Sequence, residues 1–275
     1  MTARDRTERL ILGASAVLLV LLFWEGLTRG WWASLLTPML GPSADVWRIK
    51  PIFVSSPTAI AVAFYRVFVV TGEIWKDLGV SALEYVLGFV LASVVGIPLG
   101  LAAGWYRRFS YGVEPFLSAL NATPQVALLP LIIMWAGIGL WSKVVVIFLL
   151  AVLPISVNAL AGVRTVDARL LRVARSFGSS EGRMFATIII PSSVPFLLTG
   201  LRLGVGRAMI GIVVGELYAA TAGIGFMIHM AGASFQTDKV FVGVILIAVA
   251  GLALVEVIRR VERRVEVWRP RVGVG

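Results

Sequence analysis

A chain of 275 residues with 59% apolar and 15% charged residues, and a mean hydropathy of +0.92, lies well away from soluble domains, which average roughly 45–50% apolar and about 25% charged. It has no cysteine and a single histidine, His229, which excludes disulfides, thiolate metal sites, cysteine nucleophiles and a histidine-rich metal centre within one chain. The net charge of +10 would suggest nucleic acid as the partner of a soluble domain, but here the arginines gather at the ends of apolar stretches, where membrane proteins keep them, so nucleic acid is set aside.

Several stretches reach the about 20 apolar residues that a bilayer-crossing helix needs. The first, residues 10–27, follows Arg4, Arg6 and Arg9; it is too long for a signal-peptide core, lacks a small-residue cleavage site, and is predicted to stay in the membrane. Residues 31–56, with Pro38, Pro42 and Pro51 and then Pro57, read as an external loop. Residues 59–70 are apolar but short and carry Arg66, which predicts a helix lying at the interface, with a seventh span as the alternative. Further spans are predicted at 79–105, 113–137, 144–161, 194–217 and 240–258. The fold class is therefore all-α: a polytopic membrane protein with six transmembrane helices in one domain, residues 1–275.

Placing the N-terminus in the cytoplasm puts sixteen basic residues on that side: the N-terminal arginines, Arg107, Arg108, those of segment 164–183 and those of the tail 259–271. Seven lie opposite, namely Arg29, Arg48, Lys50, Arg66, Lys76, Lys143 and Lys239. The excess predicts that both termini are cytoplasmic. Trp24, Trp31, Trp32, Trp75, Trp105, Trp135, Trp141 and Trp268 fall near predicted span ends, as aromatic belts do.

Within the third span, Asn121, Thr123, Pro124, Gln125 and Pro130 require a break or kink, because proline removes a backbone donor. Asn121 and Gln125 then either line a path through the bundle or hold a packing kink by interhelical hydrogen bonds. If they line a path, Leu128, Ile132 and Met209 are expected as its apolar walls. Glu84, near the start of the second span, is expected to snorkel or pair locally. Glu216, followed by Gly223-Ile224-Gly225, either lines the outer path or pairs with an arginine. The glycines at 204, 206, 211 and 215 predict close helix packing in the fifth span.

The predicted cytoplasmic loop between helices 4 and 5, residues 162–191, is patterned beyond what a connector needs. Asp167 suits an N-cap, after which Leu170, Leu171, Val173, Ala174 and Phe177 share one apolar face, with Arg169, Arg172 and Arg175 on the other. Gly178 is placed to end the helix in the left-handed conformation. Ser179 or Ser180 then caps a second short helix running to Pro191. Such a basic amphipathic helix fits lipid headgroups or, more specifically, a soluble partner.

Ala174, Gly178, Ile188, Ile190 and Pro191 resemble, in type and spacing, the cytoplasmic loop of binding-protein-dependent ABC importer permeases, in which Glu-Ala-Ala, three residues on, is followed by Gly and later by Ile-x-Leu-Pro. Arg172 stands where that family usually has glutamate, and Val173 where it has the first alanine. Pro124-Gln125-Val126-Ala127-Leu128-Leu129-Pro130, Trp135-Ala136-Gly137-Ile138-Gly139, Leu198-Thr199-Gly200-Leu201-Arg202 and Gly215-Glu216-Leu217 resemble the nitrate, sulfonate and taurine branch. The resemblance implies a coupling-helix loop formed by Asp167, Leu170, Leu171, Arg172, Ala174, Arg175, Phe177, Gly178 and Pro191. It also implies a homodimer in the bacterial inner membrane, two cytoplasmic ATP-binding subunits that hold ATP and magnesium, and an external solute-binding protein. The solute would be small and anionic.

No lysine here is part of a P-loop: Lys50, Lys76, Lys143 and Lys239 follow Ile, Trp, Ser and Asp, whereas phosphate binding there needs Gly-Lys before Ser or Thr. Neither a Ser/His/Asp set nor paired carboxylates on one face appears. The sequence thus predicts no catalytic residue, metal or cofactor in this chain. A secondary transporter or a channel without ATP coupling is the rival reading; the former commonly shows inverted repeats, and none is visible.

Overall fold

The computed structural model describes residues 3–40 and 49–265, all of whose regular elements are helices. Pro42, Arg48, Trp268, Arg269 and Arg271 lie outside the described residues. Five helical segments are long and apolar enough to cross a membrane: 10–29, 74–105, 140–164, 181–219 and 237–264. A bent pair, 107–122 with 125–136, makes a sixth if taken as one span. The chain divides into two compact units, residues 1–75 with 227–246, and residues 76–226 with 247–275.

In the first unit, α1 (Ala3–Arg29) is followed at Gly30, with φ +77°, by α2 (Trp31–Leu40). This corrects the predicted loop over its first ten residues. Only Pro38 of the four prolines falls inside α2, near its end, where one backbone hydrogen bond is lost. Aromatic packing offsets that loss. Trp32 folds back on Phe23 with ring centroids 5.6 Å apart and donates its indole N–H to the Phe23 carbonyl at 3.0 Å. Next, α3 (Pro57–Tyr65) is capped by the Ser56 hydroxyl and runs into a π turn, Arg66–Val70; together they are shorter than a crossing requires. The buried Glu25 carboxylate ties α1 to α3, accepting the Thr58 backbone N–H at 3.0 Å and the Thr58 hydroxyl at 2.7 Å. Residues 227–246 complete this unit, with Trp24 against Phe241 and Lys239 bonded to Glu73 at 2.6 Å.

The second unit is built on α7 (Leu140–Arg164), which packs between α4 (Ile74–Trp105) and α10 (Ile190–Ala219). Small residues bring these backbones together. A Cβ at Gly100 of α4 would overlap the Ser156 carbonyl of α7, and one at Gly204 of α10 would press on Ile155. Gly211 and Gly215 also face α7, whereas Gly206 faces open space, so packing explains three of the four glycines singled out in this span. Tyr85, Ala92, Ile147, Ala151, Ile155, Ala208 and Ile212 form the buried cluster among the three helices. Residues 247–265 of α12 (Thr237–Val265) join this unit through an ion pair between Arg202 and Glu262.

The predicted third span is divided. α5 (Arg107–Ala122) stops where Thr123, preceding Pro124, is forced into an extended conformation with φ −82° and ψ 132°. A 3₁₀ turn, Gln125–Leu128, then leads into α6 (Leu129–Ala136), bent by 91° from α5. A second correction concerns Pro191. It does not end a short helix: α9 (Glu181–Met184), a π turn at Phe185–Ile189 and α10 are continuous over 39 residues. The Ile190 N–H reaches back five residues to the Phe185 carbonyl, so the ladder is already re-registered where proline brings no donor. Lys143, predicted to lie outside the spans, is buried inside α7. Finally, α11 (Ile224–Ala233) follows α10.

Candidate functional site

Three features of the second unit bear on function: a helix at one end of α7, a cavity beside the α5–α6 bend, and a polar clamp near the other end.

The helix is α8 (Ala168–Ser176), whose first turn is capped by the Asp167 carboxylate accepting the Arg169 N–H at 2.8 Å. It ends at Gly178, with φ +73°. The Gly178 N–H goes to the Arg175 carbonyl at 2.9 Å and the Ser179 N–H to the Ala174 carbonyl at 3.0 Å, satisfying carbonyls that a helix end leaves free. Ser180 then caps α9, and Arg175 bridges the corner to Glu181 at 3.2 Å.

The apolar residues of α8, predicted to share one face, serve two. Leu171 packs inward against the cluster of Leu101, Ala159, Val163 and Ile189, with Ala174 half-buried on the same side. Leu170, Val173 and Phe177 stay exposed, Phe177 at 83%. Spacings of three and four residues explain the division: Leu171 and Ala174 anchor the helix to its own bundle, while Leu170, Val173 and Phe177 present an apolar strip between that anchored face and the face of Arg169, Arg172 and Arg175. Pro191 sits in the first turn of α10, away from this strip in sequence and inside a transmembrane helix.

The cavity has a volume of about 550 Å³ and is lined by Asn121 to Val126 from the bend, by Leu150, Leu153, Pro154, Val157 and Asn158 of α7, and by Arg207 and Ile210 of α10. Asn121 and Gln125 thus line one cavity. The Gln125 amide donates to the Leu120 carbonyl at 3.4 Å and the Asn158 amide to the Pro154 carbonyl at 2.8 Å, so proline-disturbed helices supply the acceptors that hold both amides in place. The expected apolar walls differ. Leu150, Leu153, Val157 and Ile210 line the cavity, whereas Ile132 is buried in a cluster with Leu129, Val146 and Leu150, against which Leu128 packs, and Met209 packs against the core. Asn158 and Arg207 were legible only as polar residues within spans. Their mid-span position was the available signal; what sequence could not supply was that both point to the same bend.

Glu216 is not on the cavity. It is 1% exposed and accepts hydrogen bonds from the Ser81 hydroxyl and the Gly225 N–H. Ser81 in turn accepts the Ile224 N–H at 2.9 Å, and Asp77 accepts the Gly223 N–H at 2.9 Å. Three consecutive backbone donors at the start of α11 are therefore held by three side chains of α4 and α10. This corrects the placing of Glu216 as a path residue: its carboxylate is occupied by a helix start whose first N–H donors have no acceptors within the helix. It does not pair with an arginine either. Glu84, one turn beyond Ser81, forms a buried ion pair with Lys143, and Gly215 lies against the Lys143 side chain.

Glu216→Ala would leave the Gly225 N–H and the Ser81 hydroxyl buried without an acceptor. A loss of about 2–3 kcal/mol in unfolding free energy is expected in detergent, with Glu216→Gln recovering part of it. Equal stability of wild type and Glu216→Ala would show that the clamp contributes nothing.

Residues 96–267 match the sequence model of the family described as "binding-protein-dependent transport system inner membrane component". The chain is 33% identical over 247 residues to an aliphatic sulfonates transport permease protein, SsuC, of Bacillus subtilis (strain 168), covering 87% of this chain and 88% of that one. It is 32% identical over 272 residues to the taurine transport system permease protein TauC of Escherichia coli (strain K12), covering 98% and 92%. Among solved structures, a chain of the methionine ABC transporter MetNI in an inward-facing conformation aligns with a TM-score of 0.59 at 16% identity, over 73% of this chain and 97% of that chain, a likeness of fold.

Proposed function

The chain belongs to the family of binding-protein-dependent transport system inner membrane components, and from that premise we propose that it is the permease of an ATP-driven importer whose energy enters through α8. The observation that carries this reading is the strip formed by Leu170, Val173 and Phe177, left exposed on a helix that Leu171 anchors to the bundle. A helix serving only as a connector has no reason to hold three large apolar residues away from its own core.

In this reading the permease domain acts as a homodimer, two ATP-binding subunits dock at the cytoplasmic side, one on α8 of each copy, and a solute-binding protein delivers substrate from the other side. Both termini are cytoplasmic, in keeping with the arginine distribution. The relatives named for aliphatic sulfonates and taurine support a small solute carrying a sulfonate-like anionic group, and the cavity at the α5–α6 bend, with Asn121 and Gln125, is its path.

Docking by apolar contact has a direct test. Phe177→Ala and Leu170→Ala together should weaken association with the ATP-binding subunit about tenfold or more, as loss of buried anchors does, whereas Arg172→Ala should change it by less than about threefold, since exposed charge pairs contribute little. Affinity of the solubilised complex, measured at fixed salt, gives the ranking. The reverse order would show that α8 docks by charge.

A further inference from the structure

Arg207 differs from two other cations within the second unit's spans. Lys143 pairs with Glu84 and Arg202 with Glu262, while Arg207 has no ion-pair or hydrogen-bond partner among the described residues. It lies near the middle of the 30-residue α10 (Ile190–Ala219), about 18 Å along the helix from its Ala219 end at 1.5 Å per residue. An unpaired guanidinium at that depth is costly against lipid and is accommodated where it faces water or a ligand. Arg207 does face such a space: it lines the cavity with Asn121, Gln125 and Asn158. No carboxylate is among the lining residues, so nothing on the wall neutralises it.

We propose that Arg207 is the charge-selecting residue of the cavity, a transient station for the anionic group of the transported solute. The inference rests on the transport function proposed above and deepens it by assigning the selectivity to one side chain. A planar guanidinium offers five N–H donors in a fork that matches tetrahedral or planar oxyanions. The amides add hydrogen bonds without charge: Gln125 and Asn158 have each given one N–H to a carbonyl of their own chain segment, leaving a second N–H and an oxygen for the solute. One cation with neutral neighbours attracts an anion into a low-dielectric passage without holding it as several cations would, which suits a path that must also release.

The test reads the charge of the cavity directly. The native chain has no cysteine, so Ala122→Cys, at a lining residue, provides a single thiol in the full chain in its membrane. Two methanethiosulfonate reagents of similar size are compared, one carrying a sulfonate and one a trimethylammonium group, each as a rate of modification. The ratio of anionic to cationic rates cancels changes in thiol ionisation and overall access. Arg207→Gln should lower that ratio about tenfold, the effect of removing one nearby charge from a poorly solvated cavity, and Arg207→Lys should keep most of it. An unchanged ratio, or a thiol that reacts with neither reagent, overturns the proposal. Uptake of ethanesulfonate by the assembled transporter separates the two levels: a ratio that falls as expected while the wild type moves no ethanesulfonate would leave the anion station standing and remove the sulfonate reading.

Discussion

Lys143→Met should destabilise the chain by about 3–5 kcal/mol, because it strands a buried carboxylate without its counter-ion. Glu84 is 2% exposed and Lys143 4%, and one Glu84 oxygen has no hydrogen-bond partner among the described residues, so Lys143 is its main compensation. The second carboxylate of the region, Glu216, is committed to Ser81 and Gly225 and supplies no counter-ion. Adding Glu84→Gln to Lys143→Met should recover most of the loss, since two neutral side chains of similar volume carry little desolvation cost. Denaturant midpoints in one detergent give all four corners of the cycle. Additive losses, with no recovery in the double variant, would show that the two side chains act independently.

Gly178→Val should abolish productive contact with the ATP-binding subunit while leaving the membrane bundle folded. Gly178 has φ +73°, a region from which β-branched residues are strongly disfavoured. The corner fixes the angle between α8 and α9, and the exposed Phe177 immediately precedes it. Space is not the obstacle, because a Cβ at Gly178 would meet nothing within 4 Å; backbone conformation is. Gly178→Asn, which tolerates the left-handed region, should therefore keep much of the coupling that Gly178→Val loses. ATP hydrolysis stimulated by the solute-loaded binding protein reports it, with thermal stability as the control for folding. Normal stimulation in the valine variant would mean that the corner is dispensable.

Much of the fold was legible because lipid imposes a length and a composition on each span, and the α8 motif was legible because caps and glycine corners are local. The failures share a physical cause. Trp31–Leu40 reads as loop in sequence because of the prolines across the whole segment, whereas only Pro38 falls within the helix. Pro191 reads as a helix end in sequence because the five-residue π turn that precedes it has no clear sequence mark. Leu171 and Phe177 share one apolar pattern in sequence because periodicity identifies apolar positions without saying whether they face the chain's own bundle or a partner. The burial of Glu216 and Lys143 is hidden in sequence for a related reason. A charge near a span end looks interfacial in sequence, and only the fold brings Ser81, Glu84 and the 223–225 backbone against it.

The most direct measurement is purification of the tagged chain from its own membranes under conditions that preserve complexes. Expected is a second polypeptide carrying a P-loop, present in equal amount and hydrolysing ATP in the isolated complex. A folded, monodisperse chain recovered without any nucleotide-hydrolysing partner would contradict the proposal that α8 couples this permease to ATP.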